Sequence, residues 1–150
     1  MQCLCCLDVR GPKAMDVIEQ FIDDSQETPG VIEGAKALLK ATFENFAECD
    51  KLLSRHAHHW DMGRLALVDR NILRLAAQEI RSGQTPFKVA ISEALHLAEE
   101  FSTAESSRFI NGVLDSVAKE LLQAAPGQAA RQDNTQPQAT TQTPAKETVD

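Results

Sequence analysis

Three cysteines fall within the first six residues, "MQCLCC", and two of them, Cys3 and Cys6, stand at C-x-x-C spacing. Further along, "RHAHHWD" puts His56 and His59 at H-x-x-H spacing. Two thiolates and two imidazoles are a ligand set that tetrahedral zinc accepts. The cysteine pair alone would suit thioredoxin-like exchange, but that chemistry follows a strand, and no stretch of this chain alternates apolar and polar residues with a period of two. Structural zinc belongs in small domains short of core, whereas every helical stretch here carries an apolar stripe. Cys3 and Cys6 therefore read as small apolar side chains facing a bundle, and Cys49 as a buried one on its own stripe. The histidines read as groups at the carbonyl end of a helix. No metal site is expected. A Gly-rich phosphate loop and a G-x-S-x-G elbow are both missing from the sequence, and its acids are scattered over wet faces, so neither an enzyme nor a cofactor is expected.

The elements that must position these groups are helical. After Gly11 and Pro12, the residues Ala14, Val17, Ile18, Phe21 and Ile22 predict a short helix. "DDSQETPG" reads as a loop, and Val31, Ala35, Leu38, Leu39, Thr42, Phe46, Cys49, Leu52 and Leu53 then trace one face of a long helix, expected to be the central strut. "LVDRNILRLAAQEI" places Val68, Ile72, Leu75, Ala76 and Ile80 on one stripe, with Gly83 available to end it in a left-handed conformation. Pro86 opens another helix through Phe87, Ile91, Leu95 and Ala98, ending near Phe101. "STAE" at 102–105 has the capping-box pattern, with Ser102 as cap and Glu105 reaching back, before a last helix through Phe109, Val113, Leu114, Val117 and Leu121. The expected fold is a compact all-α bundle of about six or seven helices.

A chain of 150 residues with 43% hydrophobic content can bury one core. Residues 1–125 form the expected domain. Residues 126–150 are rich in Gln, Thr, Pro and Ala with Val149 as the one larger aliphatic, and are expected to be a disordered tail. The net charge is -7, of which Arg131 and Lys146 against Asp133, Glu147 and Asp150 account for one unit. Such a balance excludes a charge-driven nucleic-acid binder acting alone, because that affinity comes from Lys and Arg releasing counterions from phosphate. No membrane span or export signal is expected, which implies a cytoplasmic protein.

"LVDRNILRLAAQEI" followed by "PFKVAISEALHLAEEFSTAESSRFINGVLDSVAK" resembles the NusB family of bacterial transcription antitermination factors, most strongly from Trp60 to Lys119. "MQCLCCLDVRG" is similar to the later part of that family's first helix, where A-[LV]-Q-x-L-Y precedes an acid and Cys5 takes the place of a frequent Tyr. The family's helix usually starts about a dozen residues earlier, with an arginine-rich segment on the RNA-binding face. A helix beginning at "MQCLCC", with neither a capping residue nor an acidic first turn, points to a start assigned too late.

The resemblance implies an accessory factor that holds boxA RNA together with ribosomal protein NusE, against the elongating RNA polymerase, in support of ribosomal RNA transcription. A cationic partner suits an acidic chain. The expected RNA face is Lys88, Phe101, Glu105, Ser106, Arg108 and Phe109: rings bracketing the capped turn to stack bases, Lys88 and Arg108 for phosphates, Ser106 and Glu105 for base edges or the 2′-hydroxyl. Core packing is the competing reading for both rings. Asp69 is the expected contact for NusE, with Arg70 as a rim contact, so that Asp69→Ala would weaken the heterodimer without unfolding the chain. Two alternatives stand beside this. One is a protein-interaction module without RNA binding, with a homodimer among its implied states; the other is a detached bundle of the kind found at the amino end of certain RNA cytosine methyltransferases.

Overall fold

The computed structural model describes residues 1–57 and 61–124. Seven α-helices are found there: α1 (Gln2–Arg10), α2 (Met15–Asp23), α3 (Pro29–Glu44), α4 (Phe46–Ser54), α5 (Leu67–Ser82), α6 (Phe87–Phe101) and α7 (Ala104–Ala124). The described residues include no strand. No helix among them is long and apolar enough to cross a membrane. The expected tail at 126–150 and His59 of the zinc motif lie outside the described residues.

The central helix is α5, not the one expected. It packs against α1, α3, α4, α6 and α7 and divides the interior into two cores. Ile72, Leu73, Ala76, Ala77 and Ile80 face the larger, with Leu53 and Cys49 from α4, Ala90, Ala94 and Ala98 from α6, and Ile110, Leu114 and Val117 from α7. Leu75 leans toward the smaller, where Leu4, Leu7, Ile18 and Leu39 are buried and Cys3 and Cys6 pack at the edge. The small Ala90, Ala94 and Ala98, four residues apart, let α6 lie close on its neighbours.

The expected long helix is broken at Asn45, which separates α3 from α4. The apolar pattern runs through this point, but side chains compete for the backbone there. Thr42 Oγ1 donates to the Leu38 carbonyl at 2.7 Å, and Asn45 Nδ2 donates to the Ala41 carbonyl at 2.7 Å. Helix α2 departs from expectation too: Ile18 is buried, while Val17 and Phe21 of the same predicted stripe are 71% and 69% exposed. Gly83 does end α5 in the left-handed region, at φ 65° and ψ 9°. Without a Cβ, it adopts that conformation at little steric cost.

Candidate nucleic-acid interface

The bend between α6 and α7 is built from two short-range devices. The last turn of α6 closes with the Ser102 amide donating to the Ala98 carbonyl at 2.9 Å. Helix α7 then starts on Thr103, whose Oγ1 accepts from the Ser106 amide at 3.1 Å. The cap is therefore Thr103 with Ser106, one residue later than the Ser102–Glu105 pairing expected from sequence. Ser102 has an extended backbone, and Glu105 is left exposed.

Ser102 has another partner. Its hydroxyl donates to Asp69 Oδ1 at 2.5 Å, and the Ser106 hydroxyl donates to Asp69 Oδ2 at 2.7 Å. The Thr103 hydroxyl in turn donates to Ser106 Oγ at 3.0 Å. One carboxylate thus holds both sides of the bend. Asp69 lies in the first turn of α5, where the helix dipole favours a negative charge, and is only 6% exposed. Asp69, the residue expected to meet NusE, thus has both carboxylate oxygens engaged by hydroxyls inside the fold.

Arg70, the expected rim contact, is engaged within the fold as well. Its Nε and Nη2 donate to Asp8 Oδ2 at 3.0 and 2.7 Å, tying α5 to α1. Asn71 Nδ2 reaches the same oxygen at 3.0 Å. Arg74 adds an ionic contact, with Nη1 2.9 Å from Asp8 Oδ2 but out of line for a hydrogen bond. Its other edge makes a two-pronged pair with Asp50 of α4, both contacts at 2.7 Å, and its face lies 4.0 Å from the centre of the Phe46 ring. Burial works against a charged Asp8, but the hydrogen bonds from Arg70 and Asn71 and the adjacent Arg74 guanidinium outweigh it and hold the carboxyl below its ordinary value.

Of the six residues expected to meet RNA, four gather at the bend with Phe101. Phe101 is 37% exposed at the end of α6, Glu105 and Arg108 are exposed on α7, and Ser106 is partly covered by its bond to Asp69. Phe109 is half-buried and packs against the larger core, so the competing packing reading describes that ring better. Lys88 is exposed but lies in the first turn of α6, thirteen positions before Phe101, a separation of about 20 Å along a helix. The structure does not bring it to the bend.

Among the described residues of the two motifs, Cys3 and Cys6 do not gather with His56. Cys3 and Cys6 border the smaller core, whereas His56 Nε2 is 2.5 Å from Glu120 Oε2 on α7, beside Arg55 Nη2 at 2.5 Å from Oε1. Hydrogen bonds from Arg55 and His56 hold the Glu120 carboxyl below its usual value. Among the described residues no cluster of His, Cys, Asp or Glu could hold a metal ion. Cys49 is fully buried, and burial pushes its thiol up.

Sequence reasoning passed over the ionic hub. Two signals mark it: Arg74 stands between Leu73 and Leu75 in an apolar run, and Asp8 is the one acid in α1. A charge on an apolar stripe needs a buried partner of opposite sign.

Comparison with known proteins bears on most of the chain. The family model described as NusB family matches residues 1–119. The transcription antitermination protein NusB of Solibacter usitatus is 45% identical over 123 residues, covering 81% of this chain and 84% of that protein. Its counterpart from Elusimicrobium minutum is 40% identical over 124 residues, covering 80% and 88%. Among solved structures, NusB of T. maritima aligns with a TM-score of 0.73 at 33% identity, over 79% of this chain and 84% of that one.

Proposed function

The chain belongs to the NusB family, and from that premise we propose that it is a transcription antitermination factor that holds boxA-type single-stranded RNA jointly with ribosomal protein NusE on the elongating polymerase. The observation that supports this best is the bend between α6 and α7, where an exposed aromatic ring precedes a capped helix start that carries an exposed guanidinium. Single-stranded RNA is read by stacking unpaired bases on such rings while cations hold the backbone. In this reading Phe101 stacks a base, Arg108 holds a phosphate and Glu105 accepts from a base amino group. Ser106 presents only what its bond to Asp69 leaves free, Phe109 backs the bend from the core, and Lys88 meets the backbone several nucleotides away. The partner supplies positive charge that a chain of net charge -7 lacks.

The test is a titration of fluorescent boxA-type RNA with the chain and NusE at two salt concentrations. Binding should weaken as salt rises, and Phe101→Ala should cost roughly five- to a hundredfold in RNA affinity. RNA binding unchanged by Phe101→Ala and Arg108→Ala would move the RNA site elsewhere. NusE binding with no RNA signal in the wild type would leave a protein-interaction module instead.

A further inference from the structure

Asp69 is almost fully buried, yet among the described residues its hydrogen-bond partners are neutral hydroxyls rather than a cation. A buried carboxylate is costly to desolvate, and an apolar side chain would hold α5 against the bend without that penalty. What the carboxylate adds is direction. Its two oxygens, fixed in one plane, each receive one hydroxyl, and the two hydroxyls come from opposite sides of the non-helical joint. The Thr103 hydroxyl extends the chain by donating to Ser106 Oγ, so the cap of α7 and the anchor on α5 are one hydrogen-bonded run. Phe101 directly precedes one anchored serine and Arg108 follows the other by two residues.

We propose that Asp69 is a positioning residue for RNA recognition: by holding Ser102 and Ser106 at once, it sets the angle between α6 and α7 and hence where Phe101 stands relative to Arg108. The inference rests on the RNA reading above. A face fixed in advance loses less conformational freedom when a flexible nucleotide chain binds. In this role the Asp69 carboxylate acts through the two serines and does not itself touch RNA.

The experiment compares wild type, Asp69→Asn, Phe101→Ala and the double variant, each with NusE, using the same labelled boxA-type RNA, and measures NusE affinity separately. Asp69→Asn keeps the shape but has one acceptor oxygen; its amide nitrogen can only donate, so one serine must reverse its bond, and Ser106 Oγ already accepts from Thr103. The substitution should weaken RNA binding about fivefold, change NusE affinity by less than about twofold, and add less than about twofold once Phe101 is already Ala. Full additivity in the double variant, equal loss of NusE affinity, or RNA affinity unchanged by Asp69→Asn would each overturn the proposal while leaving the RNA reading in place. Absence of wild-type RNA binding would overturn both. Should Asp69→Asn fail to fold, Ser102→Ala removes one arm of the clasp and carries the same expectations in smaller measure.

Discussion

Two carboxylates meet α5 near its start, and their surroundings differ. Asp8 comes from α1 and is met by two guanidinium groups and an amide, whereas Asp69 belongs to α5 itself and is met by two hydroxyls. The first arrangement is charge against charge in a half-dry setting, and it fixes α1, α4 and α5 as one body. The second is a set of directional bonds from uncharged hydroxyl donors at a bend that carries the exposed ring. A strong ionic joint suits a place that must not move; hydroxyl-to-carboxylate bonds, each worth roughly 1.5–3 kcal/mol, suit one whose angle matters as much as its strength.

The largest test of that contrast is Asp8→Ala. It strands Arg70 and leaves Arg74 with Asp50 alone, and should lower unfolding free energy by about 3 kcal/mol in a urea melt. Asp69→Ala should cost less, about 1–2 kcal/mol, because freed hydroxyls find water more readily than buried guanidinium groups do. A loss for Asp69→Ala equal to that for Asp8→Ala would erase the distinction between the two joints.

Acid sharpens the same comparison. The folded Asp8 carboxyl titrates below its unfolded value, so its stabilisation is complete above the unfolded carboxylate range near ~3.9 and is lost as pH falls through the lower folded value. Urea midpoints measured between pH 6 and pH 2.5 should fall less steeply below about pH 4 in Asp8→Asn than in wild type. The smallest expected effect belongs to neither joint. Gly112 sits mid-helix in α7 with open space where a Cβ would lie. Gly112→Ala should therefore stabilise the chain by about 0.5–1 kcal/mol, and should do so undiminished in either Asp variant.

Much of the carboxyl-terminal half was legible because its signals are local. Gly83 ends α5 and Phe101 ends α6. Ile72, Ala76 and Ile80 of α5 and Val113, Leu114 and Val117 of α7 are buried as their spacing implies, whereas α6 buries Ala90, Ala94 and Ala98 and leaves Phe87, Ile91 and Leu95 of the predicted stripe partly covered. The break at Asn45 was hidden because hydrophobic spacing continues across it, while the cause is two polar side chains bonding four residues back. In α2 the apolar residues span more of the circumference than one core can cover, so periodicity alone could not choose Ile18 over Val17 and Phe21. The ring and cation at the bend were readable from the family pattern. The internal hydrogen-bond partners of Asp69 and Arg70 were not, since they lie 33, 37 and 62 residues away in sequence and only the fold supplies them.

Arg74 reaches α1 through Asp8, α4 through Asp50, and the Phe46 ring at the start of α4, all from the helix that parts the two cores. Opening either apolar cluster takes from that cation one of its partners. Heating should therefore melt both clusters in a single calorimetric step, with the smaller cluster no more able to open by itself than a door whose hinge is set in the opposite wall.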